Sequence, residues 1–193
     1  MPIVVYALSG FTAIGYEVLW TRILTPTLGT FVYAFASILA LYLLGIGGGS
    51  LIYPVSVKII PNKKLLLAIC QLALGVGALG SVYLASNQVV VPPLVMVMGM
   101  VLPATLVMGL TFPTVVALLP DKRQPAGMVG LVYFSNTLGS VTGGLVASFL
   151  LIPVIGSTQG VILLAIINLR LAAVLLPKNN GWLRLTTVGL VGL

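Results

Sequence analysis

Two charged side chains interrupt an apolar stretch near the start of the chain, in the sequence GYEVLWTRIL at residues 15–24. Glu17 is one of only two acidic residues in the chain, and Arg22 follows five positions later. A carboxylate in such a place could hold a proton or a cation, or it could form a buried polar contact that fixes the register between helices. Five positions correspond to about 140° around a helix, so an ion pair between the two within one helix is unfavourable.

Three amide side chains also fall inside apolar stretches: Gln71, Asn136 and Asn168. Amides between membrane helices usually form hydrogen bonds to a neighbouring helix and contribute on the order of 1 kcal/mol. The alternative is a polar path along which a substrate could bind. On the sequence alone both interpretations stay open.

The composition restricts any other chemistry. The chain has no histidine and a single cysteine, Cys70, which excludes disulfide frameworks, zinc sites of the usual ligand spacing and Cys/His nucleophilic pairs. The sequence GIGGGS at 45–50 lies inside an apolar stretch and is therefore not a phosphate-binding loop. We expect no enzymatic activity, no metal site and no cofactor.

Membrane helices must position these residues. Hydrophobic residues make up 60% of the 193 positions and charged residues 6%, against about 45–50% and 25% in soluble domains. Crossing the hydrocarbon core takes about 20 apolar residues, and six stretches qualify. They lie at roughly 3–24, 28–53, 65–86, 89–119, 126–152 and 158–176.

The sequence thus predicts an all-α, polytopic transmembrane helix bundle over residues 1–178. A cytoplasmic link and the start of a seventh, incomplete apolar helix follow over 179–193, which indicates a longer native protein. No basic n-region precedes the first helix, so we expect it to be retained rather than cleaved as a signal peptide. The fourth stretch contains Pro103 and Pro113, which predict a tilted or kinked helix whose freed carbonyls bond to neighbouring helices.

Basic residues define the predicted orientation. The gaps after the second, fourth and sixth helices contain seven of the nine lysines and arginines, whereas the gaps at 86–88 and 155–160 contain none. We therefore expect these three gaps and the N-terminus on the cytoplasmic side of a bacterial-type inner membrane. There the basic side chains would contact anionic lipid headgroups rather than nucleic acid. The main contacts would be at Lys58, Lys63, Lys64, Lys122 and Arg123.

Depth along the first helix suggests partners for the carboxylate. Glu17 lies about 21 Å from the predicted inner end of that helix, in the outer third of the membrane. An unpaired acidic residue at a helix centre costs about 2.5–3.5 kcal/mol. At matching depth we expect hydrogen bonds to Tyr33 in the second helix and to Ser140 or Thr142 in the fifth, with Arg22 nearby at the interface. Aromatic residues at predicted helix ends, Trp20, Tyr53 and Trp182, are expected at the interface too.

Small residues recur at the spacing that lets membrane helices approach closely. The fifth helix has two such stripes, Gly139, Gly143, Ala147 and Ser140, Gly144, Ser148, and the second helix has Gly45 and Gly49. We expect these faces to pack helices within the chain. Docking of another subunit is the alternative.

Four blocks follow one another along nearly the whole chain. They are SGFTAIGYEVLWTRIL (9–24), VYAFASILALYLLGIGGGSLI (32–52), MGLTFPTVVALL (108–119) and VYFSNTLGSVTGGLVASFLLIPVIG (132–156). Together they resemble the membrane portion of the fused major-facilitator/spermidine-synthase family. That family usually carries a C-terminal soluble domain resembling aminopropyltransferases. Nothing here matches that domain, so the family's catalysis does not transfer to any residue of this chain.

The resemblance departs from the facilitator pattern in one place. Facilitators normally have a G-x-L-A-D-R-type loop between helices two and three, and the corresponding stretch at 49–66 lacks the aspartate. We therefore expect a non-catalytic membrane module that serves as anchor or scaffold, or as an accessory subunit with a protein partner or a second copy of itself. The alternative is a small-molecule transporter, for example of an amine or polyamine, that uses Glu17 and the intramembrane amides.

Overall fold

The computed structural model describes residues 2–86, 92–119 and 125–176. Within these ranges every regular element is a helix. The helices are α1 Pro2–Leu28, α2 Phe31–Ile59, α3 Lys63–Ser86, α4 Pro93–Val116, α5 Pro125–Val146, α6 Ile152–Ile155 and α7 Ser157–Leu175, with a π-helical segment, Ala147–Leu151, between α5 and α6. In the same ranges six spans are long and apolar enough to cross a membrane, and α5, the π segment and α6 together form one of them. The predicted fold class is confirmed; the link and seventh helix predicted at 179–193 lie outside the described residues.

Helix α1 lies at the centre of the arrangement. It packs along α5 and also contacts α2, α4 and α7, while α2 pairs with α4 and α3 packs on both α4 and α7. Helices α2 and α5 barely contact each other, so a groove runs between them over α1. We call it the α2–α5 groove. Only 22% of each of the two spans beside it is buried, against 44–50% of the other four.

Glycines bring two helix pairs into backbone contact. A Cβ atom at Gly143 would clash with the backbone of Phe11, and one at Gly139 with that of Ala7. A Cβ atom at Gly49 would clash in the same way with α4. In lipid such close approach allows dispersion and weak hydrogen bonds to hold helices together. Helices α1 and α5 therefore lie side by side and parallel.

Prolines lie inside three of the helices without ending them. They are Pro26 in α1, Pro54 in α2, and Pro103 and Pro113 in α4. A proline has no N–H, so the carbonyl four residues earlier loses its helical partner. For Pro113 this carbonyl belongs to Gly109, and the Ser50 hydroxyl of α2, which shares its proton with the carbonyl of Ile46 at 2.9 Å, lies 3.1 Å from it. A neighbouring helix thus replaces the lost hydrogen bond, as expected.

Contacts between helix ends show which gaps share one end of the bundle. The Lys63 Nζ atom at the start of α3 donates to the carbonyl of Ala117 after α4 at 3.3 Å. Near the start of α1, the ring of Tyr6 lies 5.8 Å from that of Phe112. We call this the basic end, because the exposed Lys58 and Lys64 adjoin it. The predicted lipid contacts Lys122 and Arg123 fall outside the described residues.

Candidate functional site

A series of hydrogen bonds joins three helices in the centre of the bundle. The Tyr16 hydroxyl of α1 donates to Asn168 Oδ1 of α7 at 3.1 Å. Asn168 Nδ2 donates to Gln71 Oε1 of α3 at 2.8 Å, and Gln71 Nε2 donates to the Ser9 hydroxyl of α1 at 3.4 Å. Tyr16, Gln71 and Asn168 are fully buried and Ser9 nearly so. We call these four residues the buried polar chain.

The two amides of the buried polar chain are fully buried and connect helices. Both polar atoms of Asn168 and both of Gln71 are engaged. The third amide is elsewhere: Asn136 Nδ2 donates to the backbone carbonyl of Tyr6 at 3.1 Å. The structure therefore brings two of the three predicted amides together and separates Asn136 from them.

Trp20 belongs to this core and not to the membrane interface, so the interfacial prediction is wrong. Its side chain is fully buried, and its Nε1 atom donates to the Ser81 hydroxyl at 3.0 Å. Its ring stacks on Tyr16, with centroids 5.2 Å apart. The prediction failed because α1 continues to Leu28, which leaves Trp20 about two turns inside the helix.

The α2–α5 groove contains two cavities. The inner cavity, nearer the basic end, has a volume of about 370 Å³. No charged side chain lines it, but several polar ones do. They are Tyr6, Ser9, Ser50, Thr111, Tyr133 and Asn136.

The outer cavity, nearer the opposite end of the bundle, has a volume of about 500 Å³ and contains the two charges of the opening motif. Its lining consists of Ile14, Glu17, Val18, Thr21 and Arg22 from α1, Phe31 and Phe35 from α2, Ser148 from the π segment, and Ile152 from α6. Glu17 is partly buried and Arg22 is exposed. The cavity therefore combines one anion and one cation with mainly apolar walls.

The hydrogen bonds predicted for Glu17 are not made. Its carboxylate has no hydrogen bond or ion pair with any described residue, and only its backbone carbonyl accepts a further bond, from the Thr21 hydroxyl at 2.7 Å. Tyr33 is 68% exposed and does not line the cavity. Thr142 bonds to carbonyls of its own helix, and Ser140 lies beside Gly10.

The register between α1 and α5 explains this difference. Gly139 lies against Ala7 and Gly143 against Phe11. With this register Glu17 lies level with about residue 149, beside Ser148, and more than two turns away from Ser140. The sequence contained the small-residue spacing but not the identity of the residues opposite each glycine.

The predicted small-residue faces divide between packing and the groove. Gly139, Gly143 and the fully buried Ala147 form the side of the fifth span that packs inward, and Gly45 and Gly49 lie against α4. In the second stripe Ser140 and Gly144 adjoin α1. The last member, Ser148, instead lines the outer cavity.

A π-helical turn, which was not predicted from the sequence, borders the outer cavity. The N–H of Ile152 bonds to the carbonyl of Ala147, five residues earlier. Pro153 follows directly and has no N–H to offer the preceding turn. The proline was the available signal, because π turns form where the regular ladder is interrupted and are frequent at functional sites.

These features define a multi-pass membrane helix bundle with an open lateral groove and a charged cavity in it. Among the described residues no three His, Cys, Asp or Glu side chains lie close enough together to hold a metal ion. No protein-family model, no curated protein and no solved structure matches the chain. The family resemblance of the four sequence blocks therefore stays a prediction.

Proposed function

We propose that this chain is a non-catalytic membrane module that holds another transmembrane segment against its α2–α5 face, as the anchor or an accessory subunit of a larger membrane assembly. The observation that supports this proposal is the unequal burial of the six spans. Those of α2 and α5 are 22% buried, half the value of the others. Both helices also flank a groove that exposes polar atoms.

Polar atoms in the groove argue for a protein partner. Lipid covers apolar side chains well, but hydrocarbon offers no hydrogen bonds to polar ones. Tyr133 lines the inner cavity, is 66% exposed and makes no hydrogen bond through its side chain with the described residues. It lies about 12 Å along α5 from the helix start. A transmembrane segment seated over the inner cavity would exclude lipid there and supply hydrogen-bond partners for such groups.

The sequence blocks favour the same role. They resemble the membrane portion of a family whose members usually attach a soluble domain, so a membrane portion of this kind can serve as an anchor. We further propose that the chain resides in a bacterial-type inner membrane with its basic end toward the cytoplasm. Lys58, Lys63 and Lys64 would there contact anionic headgroups.

Site-specific crosslinking in native membranes tests the proposal. Tyr133 and Phe134 are adjacent and similarly exposed, at 66% and 63%. Tyr133 faces the inner cavity, whereas Phe134 lines a depression between α1 and the other side of α5. In a background with Cys70→Ala, each residue is replaced by cysteine, labelled with a benzophenone maleimide and irradiated, so that the crosslink needs no thiol on the partner.

We expect Tyr133→Cys to form one defined adduct and Phe134→Cys to form several-fold less of it. Mass spectrometry of the adduct then distinguishes a second copy of the chain from another subunit. Equal adducts at both positions, or none at Tyr133 together with a monomer in mild detergent, would contradict the proposal.

A further inference from the structure

The outer cavity holds two opposite charges that the rest of the described bundle leaves without partners. Neither the Glu17 carboxylate nor the Arg22 guanidinium forms a hydrogen bond or ion pair with any described residue. Five positions of one helix separate their Cα atoms by about 9 Å and by about 140° of rotation, and both side chains line the outer cavity. The two side chains are therefore poorly placed to pair with each other and well placed to flank a molecule that carries both charges.

The chemistry of the two groups specifies which charge goes where. A carboxylate in a mainly apolar cavity is unfavourable unless a cation or donors accompany it, and a primary ammonium supplies both. A guanidinium binds phosphate through two parallel hydrogen bonds. The matching ligand has a primary ammonium and a phosphate a few bonds apart.

The surroundings of the cavity indicate that this ligand comes from the bilayer. Helices α2 and α5 barely contact each other, so the cavity opens sideways between them. Its walls on that side include Phe31 and Phe35, whose rings stack with centroids 6.3 Å apart. Acyl chains would lie along such walls, and exposed apolar residues such as Leu145 continue the surface along α5.

The π segment provides an independent indication of a site. Ser148 belongs to this segment and lines the cavity. Unlike Thr137 and Thr142 in the same span, it does not donate to its own helix or to any other described residue. Its hydroxyl is thus available to a phosphate or ester oxygen. The volume of about 500 Å³ falls within the range of ligand cavities, about 300–1,000 Å³.

We infer that the outer cavity binds an ethanolamine phospholipid, with the ammonium on Glu17, the phosphate on Arg22 and the acyl chains leaving between α2 and α5. This site goes beyond the proposed function and does not depend on it. The partner segment was assigned to the groove on account of the inner cavity. The lipid headgroup occupies the outer one.

The test measures lipid binding to the purified, delipidated chain in detergent by native mass spectrometry, with no partner present. The probes are phosphatidylethanolamine, phosphatidylcholine and phosphatidylglycerol with identical acyl chains. We expect phosphatidylethanolamine to bind roughly tenfold or more tightly than phosphatidylcholine, because a quaternary ammonium cannot donate hydrogen bonds to a carboxylate. Glycerophosphoethanolamine, which lacks acyl chains, should not bind measurably.

Variants assign the contacts. Glu17→Gln should abolish the preference for phosphatidylethanolamine, whereas Asp121→Asn, at the only other acidic residue, should leave it unchanged. Arg22→Gln should weaken all three lipids, since each has the phosphate. Ser148→Phe, which fills the cavity, should weaken all three as well and decides the question if Glu17→Gln does not fold.

Four results would overturn the inference. The first is equal affinity for the three lipids. The second is an unchanged preference in folded Glu17→Gln, and the third is unchanged binding in Ser148→Phe. The fourth is tight binding of glycerophosphoethanolamine, which would make the ligand a soluble zwitterion.

Discussion

Replacing Gly143 by alanine should force α5 away from α1. The added Cβ atom would lie 2.7 Å from the carbonyl carbon of Phe11 and 2.8 Å from its Cα atom, and closer still to the carbonyl oxygen. Carbon atoms pack best at about 3.5–4.0 Å. These neighbours are backbone atoms that cannot rotate away, so the two helices must separate by roughly 1 Å.

The loss in the free energy of unfolding depends on the other contacts that hold α5 in place. Overpacking a close contact usually destabilises a protein by about 1–3 kcal/mol. Helix α5 packs chiefly on α1, so few other contacts can compensate. We expect Gly143→Ala to lower the free energy of unfolding by about 2–3 kcal/mol.

A control exists in the same bundle. A Cβ atom at Gly77 of α3 would have no neighbour within 4 Å. There alanine should raise stability by up to about 1 kcal/mol, because glycine is the poorer helix former. Equilibrium unfolding in mixed micelles, followed by circular dichroism, compares both variants with the unmodified chain. Equal stability of Gly143→Ala and Gly77→Ala would refute the close contact between α1 and α5.

Three further predictions concern the core and the orientation. In the same assay Asn168→Leu should lower the unfolding free energy by about 1–3 kcal/mol, because it leaves two buried polar neighbours unpaired; a loss below about 0.5 kcal/mol would argue against the buried polar chain. With Trp182→Phe as background, the fluorescence of Trp20 should be blue-shifted and should not be quenched by aqueous iodide. Strong quenching would show that Trp20 lies at the membrane interface and not in the core. On intact cells an impermeant maleimide should label Thr30→Cys and not Lys64→Cys, and the reverse pattern would invert the proposed orientation.

The number and type of the spans could be predicted because lipid requires long apolar helices. Their ends could not. The predicted second helix stopped at residue 53, before Pro54, but α2 continues to Ile59. A proline removes only one hydrogen bond from a helix. In lipid no water can bond to an unwound backbone, so the helix continues past the proline. The predicted first helix likewise stopped at residue 24, whereas α1 continues past Pro26 to Leu28.

The site was predictable only where the chemistry required a partner nearby. Buried amides such as those of Gln71 and Asn168 need hydrogen-bond partners, and these two side chains bond to each other. The partner of Glu17 was wrongly predicted because its depth relative to α5 depends on which residues face the glycines of α5. The groove itself left no signal, since residues that face lipid and residues that face a protein partner are both apolar in a membrane.

The distribution of polar atoms argues that the function lies on the side of the bundle and not through its centre. A carrier needs an accessible polar site between two halves that can rock against each other. In this bundle the central amides are fully buried, and their bonds tie α1, α3 and α7 to one another. Opening a path there would break each of these bonds. Glu17 and Arg22, in contrast, are unpaired within the described residues and border a groove that opens to the bilayer. A lipid or a neighbouring transmembrane segment can reach these charges laterally through this groove.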